Sequence, residues 1–187
     1  MDAGRAALAV AAIAATITVS LAAAQADDDV FVQIAQVRKA TVHFRAIDAA
    51  EAAGYARFQD CVDEPGQGAM GVHFVHGTHV GDTVIDALRP EALMFEPDRH
   101  GRMKLVGVEY IVFQEAWDAE NAVPPALFGQ PFHLVGIPNR YGIPAFYALH
   151  AWVWRHNPSG TFNDWNPHVS CDALRASVVP APVPHRH

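Results

Sequence analysis

The residues equipped for chemistry in this 187-residue chain are its eleven histidines and one carboxylate set in an apolar run. That carboxylate is Glu109, within the segment Lys-Leu-Val-Gly-Val-Glu-Tyr-Ile-Val-Phe of residues 104–113. Successive side chains of a strand point to opposite faces. Glu109 therefore shares a face with Leu105, Gly107, Ile111 and Phe113, and Val106, Val108, Tyr110 and Val112 take the other. Both faces are apolar, which predicts a central strand covered on both sides. A carboxylate buried there must be protonated, paired or metal-bound to escape a heavy desolvation cost. Two kinds of partner are open: Arg155, Lys104 or a tyrosine, giving a salt bridge or hydrogen bond, or a set of imidazoles gathered around a metal ion.

The histidines sort by the same strand geometry. His73 lies inside the run Met70–His76, on the face of Gly71 and Val75, whereas His76 points the other way and His79 follows Gly77. In 146–156, His150 falls on the face of Phe146, Ala148, Trp152, Trp154 and His156. His150 and His156 would stand about 20 Å apart on a regular strand and cannot share an ion. The constellation that remains takes one residue per strand: His73, Glu109 and His150, with His133 as a candidate fourth. Imidazoles with a carboxylate suit a single Zn, Cu, Fe, Mn or Ni ion, and an open position would admit water or substrate. In an enzyme the ion would activate water or an oxygen species, with Glu109 as ligand or general base. The sequence has neither a His-Glu-x-x-His helix nor a His-x-His strand pair.

A rival reading needs no metal. Tyr110, Trp152 and Trp154 would line an apolar pocket for a small molecule, with histidines orienting it. The stretch from Trp154 to His168 carries two Asn-Pro pairs, Phe162 and Trp165. It reads either as a pocket wall, with His156, Asn163, Asp164 and His168 as lining, or as a structured cap whose Asn and Asp groups bond their own backbone. A third reading is a structural envelope protein whose histidines carry no chemistry. No Gly-x-Ser-x-Gly elbow or phosphate-cradling glycine loop is present. The net charge of −7, with no basic cluster, argues against nucleic acid and against an anionic membrane surface as partners.

The elements that would position these residues follow from periodicity. Ile34, Val37, Thr41 and Phe44 recur at helical spacing over 33–46. Asp48-Ala-Ala-Glu51 matches a capping box for a second helix ending at Gly54. Strands are then expected at Met70–His76, Ala92–Glu96, Lys104–Phe113, Phe132–Gly136 and Phe146–His156. Pro97 to Arg102 reads as a hairpin loop, and Pro125 to Gly129 as one helical turn. Strands without regular intervening helices pair antiparallel. The expected fold is α+β: N-terminal helices followed by a curved, mainly antiparallel sheet or partly closed barrel.

Residues 1–26 have the pattern of a signal peptide, with Arg5, a small-apolar run to Ala24, the Ala24-Gln-Ala26 site and then Asp27-Asp28-Asp29. A retained membrane anchor is the alternative for a run of about 19 residues. Residues 27–177 would form one globular domain, and the proline-rich 178–187 a disordered tail carrying His185 and His187. Cleavage would send the protein to the periplasm or outside the cell, with no further hold on the membrane. The only cysteines, Cys61 and Cys171, would there form a disulfide rather than stay as two buried thiols. Chain entropy gives a loop of that size about 4–5 kcal/mol at most.

The strings Gly68-Ala-Met-Gly-Val-His73, Val106-Gly-Val-Glu-Tyr110, Trp154-Arg-His-Asn-Pro-Ser-Gly160 and Asp164-Trp-Asn-Pro167 resemble a set of exported bacterial proteins of unassigned function. The resemblance spans residues 35–171. It implies a bacterial, exported setting and carries no site residues.

Overall fold

The computed structural model describes residues 28–178, so the expected signal peptide and all of the proline-rich tail beyond Val178 lie outside the described residues. The described residues begin with helix α1 over 28–41, continued by a 3-10 turn at Val42–Arg45. Ile34 and Val37 of α1 and Phe44 of the turn are buried, as their spacing predicts. Helix α2 spans Ile47–Ala52. Its N-cap is Ala46, with no side-chain cap bond, so the expected Asp48 capping box does not form. The helix starts directly off the 3-10 turn, which leaves Asp48 inside its first turn. Gly54 ends it as expected, at φ 99°, with Tyr55 N donating back to Ala50 O at 3.1 Å.

Six antiparallel strands form one strongly curled sheet, in the order β1-β2-β3-β4-β8-β7. They are β1 (Ala56–Glu64), β2 (Gly68–Val75), β3 (Ala92–Pro97), β4 (Met103–Phe113), β7 (His133–Val135) and β8 (Phe146–Ala151). Short helices α3 (Gly77–Gly81), α4 (Gln114–Asp118) and α5 (Asp172–Val178) join or follow them. The α+β expectation matches this arrangement. No helix among the described residues is long and apolar enough to cross a membrane.

Three departures from the sequence expectation have local causes. Strand β1 carries no clean alternation, because Phe58 pairs with His73 and Val62 with Gly71, so four steps of β1 span two of β2. Gln59, at φ 61°, lies in that bulge. Residues 125–129 are not helical. They belong to a small hairpin of β5 (Ala126–Leu127) and β6 (Gln130–Pro131), turned by Phe128 and Gly129, both with positive φ. Phe128 takes that conformation with its ring buried between Tyr110 and Phe162. The last strand stops at Ala151 instead of reaching His156. Beyond it Trp152 N donates to Thr161 O, and Trp154 N and Arg155 N both donate to Val106 O. The chain has left the sheet, so Trp152, Trp154 and His156 do not continue the face of His150.

The two faces of the sheet differ. One packs Val72, Leu93, Val108, Tyr110 and Leu149 against α1, α2 and the 3-10 turn, forming the main core. The other carries the candidate residues, with Val80, Ala92, Ile111, Phe146 and Ala148 around them. A bulge in β4 adjusts this division. Met94 pairs with Gly107 but Phe95 with Leu105, leaving Val106 as an extra residue. Leu105 therefore joins the main core rather than the face of Glu109, and Val106 packs with Met94 and Trp152. The Cys61–Cys171 disulfide ties the β1 bulge to the residue just before α5 and packs beside Met94, Val106 and Trp152.

Candidate metal centre

Three strands contribute one residue each to a buried group on the second face. Glu109 pairs directly with His150 across β4 and β8, and with Ala92 across β4 and β3. His73 is on β2, one strand further away, opposite Met94. It reaches Glu109 diagonally across β3, past the small side chain of Ala92 and beside Met94, whose end lies over Gly107. Ala92 stands between Val75 and Glu109, and Gly107 stands beside Met94. A Cβ on Gly107 would meet Met94 Cε at 2.4 Å and Ala151 O at 2.9 Å, so even alanine would disturb the floor here.

The contacts have a particular geometry. His73 Nε2 lies 3.4 Å from Glu109 Oε2, and His150 Nε2 lies 3.5 Å from Glu109 Oε1. The two imidazoles are nearly perpendicular, with centroids 6.0 Å apart. One ligand atom from each of the three residues falls within 4.8 Å of the others. Separations near 3.5 Å are long for charge-assisted hydrogen bonds. Neighbouring ligand atoms on a tetrahedral ion with bonds of about 2.1 Å stand roughly 3.4 Å apart. All three residues are buried, His150 to 3 % exposure, and His150 Nε2 has no hydrogen-bond partner among the described residues.

The other ring nitrogen of His150 is held. Nδ1 lies 3.2 Å from Asp164 Oδ1, and Asp164 Oδ2 lies 3.4 Å from His133 Nδ1. A carboxylate on the far side of an imidazole fixes its tautomer with Nε2 free to accept. His133 itself is exposed on the edge strand β7 and does not join the three buried residues. Glu109 thus faces two imidazoles. Arg155 turns instead to His168 O and Glu96, and Lys104 is exposed.

Electrostatics follow from this packing. Burial, reinforced by the neighbouring His150, drives the His73 pKa down to about 3, which keeps that imidazole neutral. Burial pushes the Glu109 carboxyl above the usual range, against the pull of His150. For His150, burial alone would lower the pKa, but Glu109 and Asp164 outweigh it and the net shift is upward. Asp164 goes the other way: burial opposes its charge, yet the hydrogen bond and charge of His150 hold its pKa below the ordinary value. The group brings two imidazole nitrogens and one carboxylate within 4.8 Å of one another, a donor set that first-row transition ions accept once His150 gives up its proton.

An apolar pocket of about 220 Å³ opens above His73 and Glu109. Phe58, Val80, Ile111, Tyr141 and Phe146 form its walls. The Tyr141 ring lies 6.4 Å from Phe58 and 5.8 Å from Phe146 between centroids. Burial first, and then the charge of Glu109, push the Tyr141 phenol up to about 12, so it stays un-ionised.

The aromatic residues singled out from the sequence are distributed differently. Trp152, Trp154 and His156 line a separate groove of about 350 Å³ against Ile34 and Arg38 of α1. Trp154 Nε1 donates to Thr41 Oγ1 at 3.1 Å, and Trp152 Nε1 donates to Asn163 O. Tyr110 is fully buried in the main core, with its hydroxyl donating to Ala87 O, and it borders neither cavity. His168 is exposed near His156, ring centroids 6.1 Å apart, outside the groove lining. In the 154–168 stretch, Asn157, Asn163 and Asn166 each accept from a backbone N–H two residues on, as a self-bonded cap would. Asp164 is the exception, since its carboxylate points at the histidines.

Of the pocket walls, alternation puts Val75, Ile111, Phe113 and Phe146 on the faces of the three residues, and sequence reasoning missed Phe58 and Tyr141. Phe58 sits in the bulged strand that shows no alternation, and Tyr141 lies in a connection whose Pro, Asn and Gly residues read only as turn. Comparison with protein-family models, with curated proteins and with solved structures finds no match to this chain.

Proposed function

We propose that this is an exported bacterial protein that holds one first-row transition-metal ion through His73, Glu109 and His150, with coordination positions facing the apolar pocket. The observation that carries the reading is the buried Nε2 of His150. Among the described residues it has no hydrogen-bond partner, while Asp164 fixes the opposite nitrogen and Glu109 stands at ligand spacing. A structural role for three buried polar groups would favour short, well-formed hydrogen bonds among them. Ligand-like spacing with an orphaned nitrogen favours an ion instead. The disulfide suits an oxidising compartment and therefore export.

The test is metal content. Protein purified without a histidine tag, stripped with chelator and challenged in turn with Zn, Mn, Fe, Ni and Cu should retain about one ion per chain by elemental analysis. The variant His73→Ala/His150→Ala should lose that ion while retaining the wild-type far-ultraviolet circular dichroism. Failure of the wild type to retain any of the five ions, or equal retention by the folded double variant, would overturn the proposal.

A further inference from the structure

We infer that the pocket above His73 and Glu109 takes a small, mainly hydrocarbon molecule, a ring bearing a single oxygen substituent that points to the floor. The inference rests on the metal reading for its oxygen end only; the ring end rests on the pocket walls.

Three observations define the occupant. The first is size. An apolar cavity of about 150 Å³ accommodates benzene, so a pocket of about 220 Å³ has room for a ring and a few further atoms. A sugar chain, a nucleotide or a peptide segment does not fit that space. The second is wall chemistry. Phe58, Phe146 and Tyr141 present aromatic rings, while Val80, Ile111 and Ile143 are aliphatic. The Tyr141 hydroxyl is engaged with Met70 Sδ at 3.8 Å, and no lysine or arginine lines the pocket. A ligand with several hydroxyls or a phosphate would leave those groups desolvated and unpaired against hydrocarbon. Rings gain from edge and offset contacts with aromatic walls. The third is the placement of polarity. Among the lining residues the ionisable groups are His73 and Glu109 at the floor and Tyr141 on the wall, with His150 Nε2 behind them 3.5 Å from Glu109 Oε1. One polar atom on the ligand satisfies the floor, and a second would meet apolar wall.

The test uses phenol as the probe and myo-inositol, a six-membered ring covered in hydroxyls, as its polar counterpart. Titration calorimetry on the metal-loaded full chain should give saturable phenol binding, with inositol at least 100-fold weaker. Val80→Trp, which fills the pocket from the α3 side, should weaken phenol at least tenfold while the chain keeps one ion. Ile143→Trp, entering from the β7–β8 connection, should do the same if the first variant does not fold. Metal-loaded protein that gives no saturable phenol binding, binds inositol equally well, or is unaffected by either pocket-filling variant would overturn the inference and leave the metal reading standing. A chain that retains no metal, yet binds phenol and loses it in Val80→Trp, would overturn the metal reading and support the pocket assignment.

Discussion

Glu109 and Glu91 are both buried carboxyls of the same sheet, one in the middle of β4 and the other immediately before β3, and their surroundings have little in common. Glu91 is fully buried, and its Oε2 accepts from Ile111 N at 3.1 Å while Oε1 has no partner among the described residues. The hydroxyls nearby are already committed, Tyr55 to Pro90 O and Tyr110 to Ala87 O. Among the described residues no imidazole pairs with its carboxyl, and it borders neither of the two cavities described above. Burial raises its pKa to about 8, so at neutral pH it is held mostly as the neutral acid. Glu109 is buried to a similar degree, but two imidazole nitrogens stand at 3.4 and 3.5 Å and a pocket opens above it. A buried carboxyl by itself is therefore no mark of a site. What separates the two is the direction of the neighbouring nitrogens and access to a cavity.

The sharpest way to break that comparison is to neutralise each carboxyl without changing its shape. Glu109→Gln should weaken retention of the ion at least 100-fold, since an anionic ligand becomes a neutral amide. Glu91→Gln should leave the metal content at one per chain. Elemental analysis of the two variants side by side decides it, and equal loss in both would mean that the ion depends on overall packing rather than on the residues facing it.

The second prediction separates the pair by pH. Glu91 has a folded pKa of about 8 against an ordinary value of 4.5, so the folded state binds the extra proton between those values. Its contribution to stability is full below about 4.5 and is lost as pH rises through 8. His73, lowered from 6.5 to about 3, acts with the opposite sign, and its contribution is complete above about 6.5. Between pH 6.5 and 8 the Glu91 effect is thus free of His73. Urea midpoints in that range should fall with pH in the wild type, and the fall should be smaller in Glu91→Gln. The difference accumulated from pH 4.5 to 8 should be on the order of a few kcal/mol. An unchanged slope in Glu91→Gln would show that Glu91 is already charged at neutral pH.

Much of this arrangement was legible in the residues. Glu109 in an apolar strand, with His73 and His150 mid-strand elsewhere, requires only period-two alternation and a sheet that brings the strands together. Alternation fails wherever a bulge intervenes. It placed Leu105 with Glu109, whereas the extra residue at Val106 turns Leu105 into the main core. It extended the last strand through Trp152 and Trp154, whereas the chain turns off at Ala151 and sends the two indoles to different partners. It gave no sign of β1, where two extra residues sit opposite Val72. Glu91 was hidden for another reason. It lies between Pro90 and a buried strand, and its neighbours Tyr55, Tyr110 and Ile111 come from distant segments rather than from a local pattern. Asp164 sits in a stretch whose Asn residues serve the backbone, and only the fold reveals that its carboxylate serves His150.

Asp164 gives the smallest effect and tests the finest point of the comparison. Among the described residues the Glu91 carboxyl is met by a backbone N–H alone, whereas the Glu109 group has a carboxylate behind one of its imidazoles. If Asp164 orients His150, Asp164→Asn keeps a hydrogen-bonding group of the same size at Nδ1 but removes the charge that favours Nε2 as a strong donor of its lone pair. Loss of such an outer partner weakens a metal site by about 10- to 100-fold. Competition with a chelator of known affinity should register that drop, with the ion still bound at saturating concentration. His133→Ala removes the exposed imidazole on the other side of Asp164 and should change affinity less than Asp164→Asn does. If the two variants were equivalent, the exposed His133–Asp164 pair would be acting as one unit, and the orienting role would belong to both. If neither changed affinity, His150 would be held by its packing in β8 alone, and the difference between the two carboxyl environments would end at the three buried residues.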